Sequence, residues 1–396
     1  MKHDFVLTSE SVTPGHPDKL CDQVSDAIVD RFLTDDPLSR IRAECAIATG
    51  VVFVAARFAS GSQVDIPDVT RRTIRDVGYE QGEFDATRCT IMTSLSEQPL
   101  NPVYRRDERT FTDDEIEAFT VENQVTVFGF ACTQTAAAMP LPIWLGHRLA
   151  RRLAEVRIAR ELHYLSPDGK TQVGVEYRNR KPYRIHSIAL MASQREPNRP
   201  DPETLRHDLI ESVISPVFAD EAVRPDRQTR IFVNPEGTLV GGGPAAHSGL
   251  TGRKNAVDTY GEYSRNSGDA LSGKDPLRID RVGAYAARHA AKNVIAAGLA
   301  EECEVQLSYS IGLSRPVSVQ VETFGTGTVD DATLAHRLES RLDFRLGAIV
   351  RRFDLRRLPA ARGGIFYRQL AAYGQVGRPD LDLPWESTVE ANALRS

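Results

Sequence analysis

Apolar residues along this chain recur with two different periods. Between 18 and 33 (DKLCDQVSDAIVDRFL), Leu20, Val24, Ala27, Ile28 and Phe32 fall on one helical face. Pro17 suits the first position of that helix and Gly15 the turn before it. Residues 51–58 (VVFVAARF) are apolar and β-branched, short enough for a strand buried on both faces, with Arg57 interrupting the run. Residues 68–78 predict a second helix ended by Gly78, and Leu145, Leu149, Leu153 and Val156 give helical spacing across 143–157. TQVGVEY and SIALMAS predict strands flanking a turn. The alanine-rich stretch 280–297 predicts a long helix stopped by Gly298, after which QLSYSIGL and VSVQVETFG return to strand. Sheets packed under helices, an α+β class, follow from this mixture.

The polar stretch 99–120 and the glycine-rich stretch 237–249 are candidate boundaries. The first is long for a connection, which suits a mobile functional loop or a linker, while its DDEIEAF part equally suits one turn of solvated helix. At 396 residues the chain predicts two to three domains. Its 49 Lys and Arg against 54 Asp and Glu leave a net charge of −5, which argues against nucleic acid as the main partner. No apolar run is long enough to span a bilayer, and the first residues lack a secretory apolar segment. The five cysteines are an odd, scattered set without a CxxC pair, which predicts small buried hydrophobes in a reduced, cytoplasmic setting.

Four clusters carry candidate chemistry. In Glu10–Lys19 a glycine turn feeds His16, Asp18 and Lys19 into a helix start, where free N–H groups favour phosphate and a carboxylate can hold magnesium. The plain alternative there is a surface N-cap with solvated charges. Gly268–Asp275 resembles a phosphate loop, but Asp275 stands where Ser or Thr is needed, so it is a glycine-rich cradle with Lys274 and no P-loop. Gly249–Lys254 sets Arg253 and Lys254 on a glycine turn, and Ser166–Lys170 predicts a turn presenting Asp168 and Lys170. Together Lys19, Lys170, Arg253, Lys254 and Lys274 suggest a polyphosphate site. Arg148, Arg151, Arg152, Arg157 and Arg160 are read as a solvated helix face.

In this order the clusters resemble the S-adenosylmethionine synthetase (methionine adenosyltransferase) family. TSESVTPGHPDKLCDQVSDAIVD, GLTGRKNAVDTYG and SGKDPLRIDRVGAYAARHAAKNVIAAGLA carry the resemblance, with FVNPEGTLVGGGP, AAYGQVGR and PWE extending it over essentially the whole chain. It implies three structurally similar α+β two-layer domains with pseudo-threefold symmetry, at 1–103, 121–239 and 240–396, with 104–120 as gating loop or linker. It further implies a homodimer with active sites between subunits, or a tetramer of two such dimers. The family reaction attacks C5′ of ATP with the methionine sulfur, expels triphosphate and hydrolyses it, with Mg2+ and K+ assisting. Such a reaction needs a clamp for a highly charged leaving group and an in-line nucleophile.

By matched motif, His16, Lys170 and Lys274 would be catalytic. ATP would be bound by His16, Lys19, Asp168, Lys170, Thr238, Leu239, Arg253, Lys254, Ala270 and Lys274. Asp18 and Asp280 would hold magnesium and Glu44 potassium. Gln98 would stand on the amino-acid side. Departures from the family pattern cluster on that side: Arg57 replaces a glutamate, His247 and Asn123 each replace an aspartate, and Arg278 replaces a lysine. Thr238 and Leu239 stand where an Arg-Phe pair meets the nucleotide. With neutral histidine the local change is about +4 charges. An ammonium about 4 Å from Arg57 would be repelled by roughly 1–4 kcal/mol at surface-like dielectric constants. This predicts an adenosyltransferase with a small, anionic, non-methionine nucleophile; the alternatives are ordinary S-adenosylmethionine synthesis and a non-catalytic nucleotide-binding paralogue. Retention of His16, Asp18, Lys170, Lys274 and Asp280 argues against the last.

Overall fold

The computed structural model describes residues 3–195 and 199–395. Its strands are β1 (Phe5–Val12), β2 (Arg40–Ala48), β3 (Val51–Ala59), β4 (Thr90–Glu97), β5 (Val125–Cys132), β6 (Leu165–Arg178), β7 (Lys181–Gln194), β8 (Arg230–Val233), β9 (Gly249–Leu250), β10 (Glu302–Tyr309) and β11 (Ser318–Glu322). The long helices are α1 (Pro17–Asp35), α2 (Ile66–Val77), α3 (Leu141–Ile158) and α4 (Ile279–Ala296). The strands form three sheets, in the orders β4-β3-β2-β9, β1-β6-β7-β8 and β11-β10-β5. One long helix packs on each: α1 on β2, α3 on β6 and α4 on β5. This is the α+β layering expected.

The sheets do not divide cleanly along the chain. β1 leaves the first segment to pair with β6, β5 leaves the second to pair with β10, and β9 leaves the third to pair with β2. Each third of the chain thus lends one strand to the next, and the exchange closes on itself. The close approach of β5 to α4 depends on Gly129, because a Cβ there would lie 2.0 Å from the Ala287 carbonyl carbon.

The helix expectations hold, with helix ends set by residues already visible in the sequence. His16 caps α1 by accepting the Asp18 N–H, and Gly78 ends α2 in the left-handed region at φ +112. Two strand readings need correction. β3 alternates, with Val52, Val54 and Ala56 buried and Val51, Phe53 and Arg57 exposed, because α1 covers one face of its sheet and none of the described residues covers the other. Ser166–Lys170 is no chain reversal: it lies inside β6, where the register against β7 shifts between Leu165 and Gly169. Its Pro-Asp-Gly signal marks a bulge. The arginines of α3 are not all solvated either, since Arg157 donates to the Val77 carbonyl at 2.9 Å.

The 99–120 stretch splits in two. Residues 99–103 are exposed, whereas Phe111, Ile116 and Phe119 are buried and Thr112 and Glu115 form a capping box on the short helix Asp113–Glu117. Arg356 secures this part by donating to the Tyr104 and Arg106 carbonyls and to Glu108. All five cysteines are buried and unpaired. Among the described residues, no helix is long and apolar enough to cross a membrane.

Candidate active site

Two glycine loops dock on the free edge of β2, and they organise the candidate residues into two groups. Toward one end, the Gly273 carbonyl accepts the Ala43 N–H and the Asp275 N–H donates to the Ile41 carbonyl. Gly273 sits at φ +79, and a Cβ there would lie 2.0 Å from the Ala43 oxygen. Four residues further along β2, β9 pairs with Ala46 and Ile47.

The first group gathers where α1 begins. Gly15 lies so close to the Pro167 backbone that a Cβ would sit 2.3 Å away, and Tyr79 Oη donates to the Gly15 carbonyl at 2.5 Å. These contacts bring His16 beside Asp168 of β6. Asp168 Oδ2 accepts the Gly243 N–H at 2.8 Å and pairs with His247 Nε2 at 3.0 Å, while the buried Oδ1 has no hydrogen-bond partner among the described residues. Asp18 Oδ1 accepts the Leu250 N–H at 3.0 Å and lies 3.7 Å from Arg253 Nε. Lys254 reaches Glu10 at 2.5 Å, and Lys170 is exposed at the end of the bulge.

Electrostatics fix the protonation states. Burial, reinforced by His247, Lys254 and Lys170, lowers His16 to about 3 despite Asp168, so its imidazole is neutral. Its Nδ1 accepts the Asp18 N–H at 3.2 Å, which leaves the proton on Nε2. Burial opposes charge on Asp168, but the His247 hydrogen bond, His16 and the Gly243 N–H outweigh it and hold the carboxyl below its ordinary value.

The second group lines a cavity of about 310 Å3 whose walls include Arg40, Arg57, Gln98, Tyr104, Glu122 and Arg278. Arg40 grips Glu122 with both terminal nitrogens, at 2.9 and 2.6 Å, and Arg278 reaches the same carboxylate at 3.2 Å. Arg57 has no hydrogen-bonding or ionic partner among the described residues. Gln98 donates to Ser96 Oγ at 2.8 Å. Nearby, Asn123 Nδ2 donates to Asp280 Oδ1, and Lys274 lies 3.4 Å from that oxygen. Burial lowers the Lys274 pKa, with Asp280 and Asp269 opposing. Glu44 is exposed on β2 and paired with Arg42 at 2.7 Å.

The structure therefore assembles most of the expected residues, but in two places. Arg57 pairs across from Arg42, and Leu250 from Ala46. Four residues along and two strands across put roughly 15 Å between them. Lys19 joins neither group. Its ammonium is fully buried between Asp22 at 2.9 Å and Asp258 at 2.5 Å, so in this chain it is a core ion pair and does not present itself to a phosphate. Thr238 is exposed, and the Leu239 carbonyl is tied to the Gln194 N–H at 2.8 Å. Ala270 abuts Gly252, whose φ of +79 and 2.3 Å clearance admit no side chain. Sequence reasoning missed Arg40 and Glu122, which shape the second cavity from positions 82 residues apart and without any local motif. It also missed Tyr79, which holds the turn before His16.

Models of the family's three domains match this chain: the S-adenosylmethionine synthetase N-terminal domain over residues 4–99, the central domain over 118–239 and the C-terminal domain over 241–387. The chain belongs to the S-adenosylmethionine synthetase family. It is 47% identical to an S-adenosylmethionine synthase of Synechococcus elongatus (strain ATCC 33912 / PCC 7942 / FACHB-805), covering 100% of this chain and 98% of that protein. It is 48% identical to one of Gloeobacter violaceus (strain ATCC 29082 / PCC 7421), covering 99% and 97% respectively. Membership of this synthetase family makes the chain an enzyme and a transferase. The three domain models follow the three sheets, except for the strands exchanged between them.

The donor sets also bear on ions. Asp18 has Oδ2 free of N–H donors, and Asp280 has an oxygen beyond the one taken by Asn123 and Lys274. Hard carboxylate oxygens of this kind fit Mg2+. His16, Asp168 and His247 each place a ligand atom within 4.8 Å of the others. Both imidazoles already use a ring nitrogen in hydrogen bonds, so this trio is a hydrogen-bonded cluster.

Proposed function

We propose that the chain transfers the adenosyl group of ATP, displacing triphosphate from C5′. The convergence of His16, Lys170, Arg253 and Lys254 at the start of α1 carries this reading, since it offers cations and a neutral Nε2–H donor to a polyphosphate. In the step, an acceptor lone pair attacks C5′ while the C5′–O bond breaks and its electrons leave with triphosphate. His16 Nε2–H bonds the departing oxygen, and the cations neutralise its growing charge. Mg2+ held by Asp18 and Asp280 would add charge neutralisation along the phosphate chain; Glu44 is the proposed K+ ligand.

A second copy of the chain supports this chemistry. The groups around His16 and Arg57 do not meet within one protomer, and the open face of the first sheet exposes Val51, Phe53 and Met92. Pairing two copies through this face would bury apolar surface and bring one group of each protomer to the other.

For the acceptor, the relatives, S-adenosylmethionine synthases, favour L-methionine, and ordinary S-adenosylmethionine synthesis is the better-supported reading. A second reading, a small anionic acceptor, is favoured by the unpartnered Arg57 and by the amide of Asn123 next to Asp280. Incubation with ATP and Mg2+, with and without L-methionine, followed by mass spectrometry of the products, decides between them. S-adenosylmethionine formed at family-like rates supports the first; triphosphate release that methionine does not stimulate sinks it.

A further inference from the structure

His247 is placed as only one half of a proton-transfer pair would be. Asp168 Oδ2 is anchored by the Gly243 N–H at 2.8 Å, and the same oxygen meets His247 Nε2 at 3.0 Å. An ionised carboxylate only accepts, so Nε2 carries the imidazole proton and Nδ1 holds a lone pair. That lone pair has no partner among the described residues, and the side chain is 35% exposed. The His16 ring stands edge-on at 5.0 Å and limits how His247 can turn. A carboxylate fixing the tautomer of an accessible imidazole is the arrangement that makes a general base.

A thioether needs no base, because its sulfur attacks without losing a proton and ends as a sulfonium cation. The second cavity suits that cation poorly: Arg57 is unpartnered among the described residues, Asn123 offers an amide, and the lining carboxylate, Glu122, is already gripped by Arg40 and Arg278. A thiol reverses each point. Its proton must go somewhere, its product is a neutral thioether, and a carboxylate on the same molecule gives Arg57 a partner.

We propose that His247, oriented by Asp168, is the general base for adenosyl transfer to a carboxylate-bearing thiol. The proposal rests on the adenosyl-transfer reading and on the pairing of two copies above, because His247 and Arg57 belong to groups that do not meet within one protomer. The S–H proton passes to His247 Nδ1, the S–C5′ bond forms, and the C5′–O bond breaks with its electrons on triphosphate. Asp168 from β6 and His16 at the start of α1 face this imidazole, and Lys170 from β6 and Lys254 after β9 lie around His16 beside it.

The test uses the full chain with ATP and Mg2+ and three probes: 3-sulfanylpropanoate, its S-methyl counterpart, and L-methionine. Adenosyl products are quantified by mass spectrometry across pH. The thiol is expected to react at least about 100-fold faster than either thioether. His247→Asn is expected to lower kcat for the thiol about 100-fold, leave KM for ATP within about threefold, and remove the acid limb of the kcat profile. An unchanged far-UV spectrum and ATP affinity confirm that this variant folds. Equal use of thiol and thioether, or a His247→Asn variant that keeps both rate and acid limb, overturns the proposal while leaving adenosyl transfer standing. ATP cleaved only between phosphates, or no adenosyl product with any probe, overturns the adenosyl-transfer reading and the proposal with it.

Discussion

Lys19 and Asp258, 239 residues apart, form an ion pair of 2.5 Å in which neither side chain touches solvent. Asp22 completes the group at 2.9 Å and also accepts the Gly252 N–H at 2.8 Å. Burial would strip the lysine of its proton, but the two aspartates outweigh it and raise its pKa. Lys19→Met leaves buried carboxylates unpaired and is expected to cost about 3–5 kcal/mol of stability, measured by urea unfolding. A lysine acting on phosphate would instead raise KM for ATP at unchanged stability.

Gly15→Ala tests how tightly the first group is built. The added Cβ meets the Pro167 backbone at 2.3 Å, and neither backbone segment can yield freely. A loss of about 1–3 kcal/mol is expected. Activity should fall further than stability, because the displaced residue is the neighbour of His16. Wild-type ATP turnover in this variant would contradict the close approach.

Glu386 contributes to the acid response. Burial disfavours its charge, but Arg288, Lys292 and the Gly377 N–H outweigh this and lower it from 4.5 to about 2. The folded pKa is depressed, so the unfolded chain binds more protons between these values. The contribution is complete above pH 4.5 and is lost as pH falls toward 2. Glu386→Gln should cost about 3 kcal/mol at neutral pH and flatten the acid limb of the unfolding midpoint. A variant as stable as wild type at pH 7 would refute this.

Phe53→Glu with Met92→Glu places charge on the exposed face of the first sheet. Sedimentation velocity is expected to show dissociation to monomers, with adenosyl transfer lost and the circular dichroism spectrum unchanged. Monomers that keep full activity would show that one chain completes the site.

Most helices were legible because their periodic apolar faces end at residues with a steric reason to stop them, as Gly78 and Gly298 do. The candidate residues were legible through short motifs on glycine loops. What the sequence could not convey was partnership. Lys19 sits in a phosphate-like motif, yet its aspartates lie three residues away and in a short helix 239 residues on. The Pro-Asp-Gly of 167–169 signals an irregular backbone, and only its pairing with β7 decides that this is a bulge. β3 looked buried on both faces because an apolar strand with one uncovered face can have the same composition as one covered on both.

In the proposed pairing of two copies, the placement of the two groups at opposite ends of β2 makes damage to them separable between chains. A chain altered only at His16 and a chain altered only at Lys274 would each be inactive alone. Expressed together, their mixed pairs concentrate both lesions in one centre and leave the other unharmed. Random pairing then restores about a quarter of wild-type activity, from two genes neither of which encodes a working enzyme.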